Sequence, residues 1–575
     1  MLKVMKNLII LLIVLYISTM PAFAAGKELI NEISSMVNEL IEDGKVKGAV
    51  LSVTKSDKII FCNGFGFADE YNNIAADGET TAFRIGSVSK TFVAAAAQIL
   101  NQEGKLDMNT DISAYLKPDF PKLTYPVTMH QLLTHTAGFE ELVTGIAVAN
   151  VSDTEPLSES VRKYMPAQVY KPGEISSYSN YGIALAAYVI ESITDVDFSK
   201  FCMERIFMPL NMNDTTYEYM HDVAYVSKAY LPNGNEGIEP YINLYPEGSA
   251  VSTAQDMAKY MMWLLNNQDN RVLSGEYKKE LFIKQFSMSE KLEGGGYVWN
   301  RKERNNKIYY DKKGETLHFY TRIALYPETD TGVFLSFNTY VPENEINAVM
   351  KKATDLLYGK YEDKKTNNIK NEFDIRGIYV NNWSSFKTQE RILSYIIPGK
   401  IIKISESKGV FLLNGEKMKL IGDNTYSSLI GTIQFIEKND KLFIATESAV
   451  TYSQLPFWQN KTIQLFIPLL FVLLSVIYFI NGMRLKKAFN IYSPLTQLLA
   501  LVALFIFLYR GIINYSILKY SALIMVFGWL IVILGVAGIM NTLLKKKNDK
   551  IDIIDYGWNF ANLMFAIWLF TFNII

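Results

Sequence analysis

Beyond Trp458 the chain changes character, and that change restricts its fold more than any other feature of the sequence. Four apolar segments follow at about 462–481, 494–509, 521–540 and 556–575, the second being the shortest, and none contains an Asp or a Glu. Each is near the ~20 residues that a helix needs to cross a bilayer. Hydrocarbon offers no hydrogen-bond partner, so such segments must satisfy their backbone internally, as helices. Residues 459–575 are therefore expected to form a bundle of about four transmembrane helices. Ion and proton paths carry ionisable groups inside the membrane, so the bundle reads as an anchor rather than a transporter. Arg484, Lys486 and Lys487 lie between the first two segments, and Lys545, Lys546, Lys547 and Lys550 between the last two. The loop joining the second and third holds only Arg510 and Lys519. The positive-inside bias then puts both basic loops in the cytoplasm and residues 25–460 outside.

The other terminus agrees. Lys3 and Lys6 precede an apolar run from Leu8 to Met20, and Ala22-Phe23-Ala24 supplies a small-x-small cleavage site, so residues 1–24 read as a secretory signal peptide. A formal net charge of −1 gives no reason to expect nucleic acid as a partner. The chain has two cysteines, Cys62 and Cys202, too few for a disulfide scaffold at 575 residues, although one bridge stays open. Its four histidines fall in no metal-ligand spacing, so neither metal nor other cofactor is expected.

Between the termini, residues 25–362 show strand-like runs at both ends with helices between. Ala49–Thr54 and Lys58–Cys62 read as a hairpin, and Lys307–Tyr310, Phe319–Tyr326 and Gly332–Asn338 as a second set of strands. Together these predict an α+β domain whose sheet is assembled from distant parts of the chain. A charged, Asn-rich linker at 363–372 leads to a small all-β domain at 373–458, where Asn414-Gly415 after Leu412-Leu413 signals a hairpin and Lys438-Asn439-Asp440 a turn.

Three short clusters in the first domain carry chemistry. Ser87-x-x-Lys90 opens an Ala-rich helix starting near Ser87, which puts an amine one turn above a hydroxyl, as for a nucleophile beside its base. Ser-x-x-Lys recurs at Ser52, Ser160, Ser384, Ser405 and Ser516, but only Ser87 follows a glycine at the mouth of such a helix. Tyr178 and Asn180, two apart in a loop, point the same way if that loop is extended. Asp311–Thr316 reads as a loop before the strand from Tyr320, with Lys312 as a cation and Gly314 leaving room for a substrate backbone.

Ser87-x-x-Lys90, Tyr178-x-Asn180 and Lys312-x-Gly314, in this order, resemble the three signature boxes of the serine β-lactamase and penicillin-binding-protein superfamily. Connecting stretches such as Gln131–Gly138 and Ser252–Met257 are similar to its class C branch, over about residues 28–360. The resemblance implies a β-lactamase/transpeptidase-like sheet with a helical subdomain, and an acyl-enzyme mechanism on an amide or ester, with a small peptide, ester or β-lactam as substrate. Ser87 would attack, Lys90 or Tyr178 would take its proton, and Asn180 would bond a substrate amide. The backbone N–H groups of Ser87 and Glu315 would form the oxyanion hole. Lys90, close to Lys312, is expected to have its ammonium form disfavoured, and Tyr178 its phenolate favoured. The third box reads Lys-Lys-Gly followed by Glu315, so a hydroxyl common in relatives is missing and an acid stands where it would repel a substrate carboxylate. The sequence thus points to a cell-membrane serine hydrolase facing the extracytoplasmic side. The competing expectations are a prodrug-activating peptidase directed at D-amino acids and a penicillin-binding sensor with little turnover. Oligomeric state is not encoded in any pattern found.

Overall fold

The structure, a computed structural model, describes residues 26–218, 225–360, 369–447, 449–485, 488–513, 520–544 and 553–575. The signal-peptide segment 1–24 and most of the linker lie outside the described residues.

The first domain is built on a seven-stranded antiparallel sheet. Its strands are β1 (Gly48–Lys55), β2 (Lys58–Asp69), β3 (Ile74–Ala75), β4 (Asn300–Arg304), β5 (Lys307–Glu315), β6 (Tyr320–Tyr326) and β7 (Thr331–Phe337). They lie in the order β4-β5-β6-β7-β1-β2-β3, so the two ends of this domain meet where β1 pairs with β7. Alternation along β1 divides the core. Ala49, Leu51 and Val53 face a layer that includes Leu29, Ile33 and Val37 of the N-terminal helix α1 (residues 26–42). Val50 faces the opposite layer, which holds helix α2 (Lys90–Gln102), α3 (Asn180–Thr194) and α4 (Ala254–Leu265). In α2, Ala94 to Ala97 are fully buried and let neighbours approach closely, while Phe92 packs edge-on against Phe207 and Tyr260 at 4.9 and 4.8 Å. Cys62 and Cys202 are free thiols.

Two differences from the sequence reading bear on the site. The segment 311–315, expected as a loop, is the end of strand β5, paired along its length with β6 through Lys312↔Ile323 and Gly314↔Thr321. Helix α2 begins at Lys90, because Gly86–Ser89 forms a separate 3₁₀ turn ahead of it.

The second domain is a closed antiparallel barrel. Gly377–Asn381 pairs with Ile401–Ser407 on one side and Tyr452–Leu455 on the other. The ends of the nine-stranded sheet are the short strands Glu416–Lys417 and Lys419–Gly422, separated only by Met418, so one interrupted strand joins both edges. Closure leaves no open edge, and Tyr379, Ile402, Leu413, Phe435 and Ile444 fill the interior. Asn414 and Gly415, both at positive φ, make the tight turn their identity favours.

Four C-terminal helices follow: α5 (Lys461–Leu485), α6 (Ala488–Ile513), α7 (Ser521–Leu543) and α8 (Ile553–Thr571). Three of them are long and apolar enough to cross a membrane, α6 over its part Tyr492–Gly511. The fourth, α8, corrects the expectation of four: it has 19 residues and includes Asp555, Asn559 and Asn562. It packs into the bundle nonetheless. Gly535 and Gly538 of α7 leave space where a Cβ would come within 2.9 Å of Asn562 and 2.3 Å of Trp558.

Candidate active site

The 3₁₀ turn Gly86–Ser89 lifts Ser87 to the floor of a cleft, and the first turn of α2 carries Lys90 beneath it. Lys90 Nζ donates to Ser87 Oγ at 2.8 Å, and the Tyr178 hydroxyl donates to the same oxygen at 2.9 Å. The two other ammonium protons of Lys90 go to Glu247, one to its backbone carbonyl at 2.5 Å and one to Oε2 at 2.6 Å. An ammonium has three donors and no acceptor, so this arrangement uses it completely. Burial opposes a charge on Lys90, but the Glu247 carboxylate and then Tyr178 outweigh it, and the pKa is raised. That reverses the expectation drawn from burial and from Lys312. Glu247 was not visible in the sequence because it lies 157 positions from Lys90, in a Tyr-Pro-Glu turn with no distinguishing pattern.

Tyr178 also departs from expectation. Its burial pushes the phenol up more strongly than Lys90 pulls it down. Lys90 and Lys312 each place their ammonium 5.2 Å from the centre of its ring. The His135 imidazole stacks on it at 4.2 Å, with Nδ1 accepting the Ser179 N–H. Burial, reinforced by Lys90, lowers Lys312 to about 7. Burial and the two lysines likewise hold His135 well below the usual histidine range.

Strand β5 approaches the Ser87 turn so closely that both need glycine. A Cβ on Gly314 would lie 1.9 Å from the Ile85 carbonyl oxygen, and one on Gly86, whose φ is +49°, would lie 2.5 Å from the Glu315 nitrogen. Packing of strand on turn is thus enough to require glycine at 314. The same contact brings the Glu315 amide beside Gly86, the residue before Ser87. The Glu315 carboxylate accepts from Arg322 Nη2 at 3.0 Å, so the repulsive charge expected there has a buried cation as partner.

Asn180 is placed differently from the other predicted residues. Ser179 caps α3 by accepting the Gly182 N–H, which starts the helix at Asn180 instead of continuing an extended loop. The Asn180 backbone N–H and side-chain Nδ2 both donate to Glu141, at 3.1 and 2.8 Å. Its Oδ1 is buried without a hydrogen-bond partner among the described residues. Burial raises the Glu141 carboxyl to about 7.

The cleft above Ser87 has a volume of about 810 Å³ and runs between the sheet edge and the barrel. His135, Tyr178, Lys312 and Arg322 line it from the first domain, and Trp383 lines it from the barrel. Asn180 is not among its lining residues. Among the described residues, no three His, Cys, Asp or Glu side chains come together as metal ligands.

The Beta-lactamase family model matches residues 33–353, more than half of the chain. The chain belongs to the beta-lactamase family. Its matched region contains every residue of the constellation just described except Trp383. Protein flp of Staphylococcus aureus (strain N315) is 26% identical over 328 residues, covering 54% of this chain and 64% of that protein. The chain thus spans a little under two thirds of that relative's length. Two solved structures share the fold: the octameric penicillin-binding protein homologue from Pyrococcus abyssi (TM-score 0.51, 21% identity) and SurE (TM-score 0.52, 16% identity). They cover 74% and 75% of this chain and the whole of their own, so the likeness extends past the family domain into the barrel.

Proposed function

We propose that this beta-lactamase-family chain is a membrane-anchored serine hydrolase working outside the cytoplasm through an acyl-enzyme, on an amide or ester such as a D-amino-acid peptide or a β-lactam. The observation that carries the reading is Ser87 Oγ held at 2.8 Å from Lys90 Nζ and 2.9 Å from the Tyr178 hydroxyl. Ser87 attacks the carbonyl carbon, the acyl C–O bond forms as the leaving group departs, and water then releases the acid. Because all three Lys90 protons are engaged and Glu247 favours its charge, Lys90 serves as a fixed cation. The proton of Ser87 passes to Tyr178 in its phenolate form, which burial makes the minor one while Lys90 and the Ser87 hydrogen bond favour it, and Tyr178 then gives that proton to the leaving group. The tetrahedral oxyanion is received by the N–H groups of Ser87 and Glu315, each such donor being worth roughly 10²–10³ in rate. Lys312 and Arg322 offer cations to a substrate carboxylate. The signal-peptide pattern and the basic loops support an extracytoplasmic site.

The reading is tested by incubating the purified full chain with a fluorescent penicillin, an N-acyl-D-alanyl-D-alanine peptide and a D-alanyl ester, following adduct and product together. Turnover of at least one, abolished by Ser87→Ala, is expected. A folded protein that neither retains an adduct nor releases product from any of the three contradicts it.

A further inference from the structure

The longest excursion from the barrel is the segment 382–400, between the strands Gly377–Asn381 and Ile401–Ser407, and it touches three parts of the molecule at once. At its start, the Trp383 ring meets the Tyr178 ring at 5.1 Å and 63°, edge to face. Its neighbour Asn382 accepts the Ser177 hydroxyl on its carbonyl at 2.8 Å, so the residue before Tyr178 is held from the barrel as well. The backbone of Trp383 is itself fixed: its main-chain N–H donates to Asn381 Oδ1 at 2.8 Å, and Lys400 Nζ lies 3.9 Å from the ring centre while bonding the Trp383 carbonyl.

The middle of the segment is clamped to the cleft rim. Glu140 accepts the N–H groups of Phe386 and Lys387, and Glu390 accepts those of Val143 and Thr144. The far side is tied to the C-terminal helical bundle, at the end of α8. Asn573 Nδ2 donates to the carbonyls of Phe386 and Thr388 at 3.1 and 3.3 Å, and Arg391 Nη1 donates to the Thr571 carbonyl at 3.0 Å. Ile392, Leu393 and Tyr395 are buried in one cluster with Leu504, Ile524 and Trp568 of the bundle.

We infer that Trp383 is a positioning residue for Tyr178, and that the segment 382–400 couples the hydrolytic site to the docked state of the membrane helices. The inference rests on the proposed role of Tyr178. Its ring is confined by His135 on one contact and Trp383 on another, with Lys90, Lys312 and Glu247 as the charged groups around it. The indole excludes water from the phenol and fixes its hydroxyl on Ser87. A small displacement of a group in direct contact with the nucleophile is costly, by up to about a hundredfold in rate. Trp383 does not touch the reacting atoms, so its effect is on kcat and on the pH profile.

The test uses the full chain in detergent or nanodiscs, with Trp383→Ala, Trp383→Phe and the double variant Arg391→Ala/Asn573→Ala, which loosens the membrane end without altering the cleft. Ser87 acylation is measured against pH. In Trp383→Ala the maximal rate is expected to fall roughly ten- to a hundredfold with KM little changed. The rising limb is expected at lower pH, because water reaching Tyr178 relieves the burial that raises it. Trp383→Phe should recover most of the rate. The double variant should move rate and limb in the same directions, by less, and it and Trp383→Phe decide the matter if Trp383→Ala does not fold. An unchanged rate and profile in Trp383→Ala, or a change in KM alone, overturns the inference while leaving the hydrolase reading standing. Absence of labelling in the wild-type protein overturns both.

Discussion

Lys90 keeps its charge where water does not reach because a carboxylate meets it there, and that places the control of the site on a residue outside the three boxes. Glu247→Gln keeps the shape and removes the charge. Tyr178, which takes the Ser87 proton, then loses an anion that raises it, so the rising limb of the acylation rate is expected at lower pH, read from a pH series of labelling rates. The same change leaves a buried ammonium without its partner, which typically costs 3–5 kcal/mol, so a lower melting temperature should accompany it. A limb that stays in place would show that Glu247 does not set the charge of the pair. Lys312 gives a second residue-scale expectation. Held down at about 7, it is charged below that pH and loses its charge above it. KM for a substrate bearing a free carboxylate should therefore rise as pH passes 7, while a neutral ester shows no such rise, and Lys312→Met should flatten the curve. At this scale the sequence showed Ser87, Lys90, Tyr178 and Lys312 through their spacing. Glu247, Glu141 and Trp383 were hidden, because each acts by a contact across 39 or more positions with no local pattern to mark it.

Strand β5 and the turn at Gly86 behave as one element, pressed together until only glycine fits. Gly314→Ala puts a methyl group 1.9 Å from a backbone oxygen that cannot swing aside. Overpacking of this kind costs about 1–3 kcal/mol or more, and here the strand must also retreat from Ser87. Loss of Ser87 labelling is expected even in the fraction that stays folded, as judged by circular dichroism and labelling on one sample; wild-type labelling in Gly314→Ala would contradict this packing account. The sequence reading missed this strand end because Asp311-Lys312-Lys313-Gly314-Glu315 has no β-branched residue, and its pairing with β6 decides the outcome. The barrel was legible in part for the opposite reason. Asn414-Gly415 and Asn439-Asp440 announce their hairpins locally, whereas closure through the strand interrupted at Met418 depends on both of its neighbours at once.

On the scale of the whole molecule, the chain joins a beta-lactamase-family domain, a closed barrel and a helical bundle, and the barrel segment 382–400 touches both of the others. The apolar character of the bundle was plain from composition. That α8 falls outside the helices long and apolar enough to cross a membrane goes with its Asp555, Asn559 and Asn562, which the length of its apolar run concealed. The docking of barrel on cleft could not be read, since its contacts link residues more than 200 positions apart, such as Ser177 and Asn382. Three helices of spanning length predict that the full chain stays with the membrane pellet through alkaline and high-salt washes and is released only by detergent. Recovery in the wash would contradict an integral anchor. The most direct test of the central claim is to label the detergent-purified chain with a fluorophosphonate and map the adduct by peptide mass. The account predicts a single modified residue, Ser87, with labelling slowed in Tyr178→Phe and absent in Ser87→Ala; an adduct on another residue, or undiminished labelling of Ser87→Ala, would contradict it.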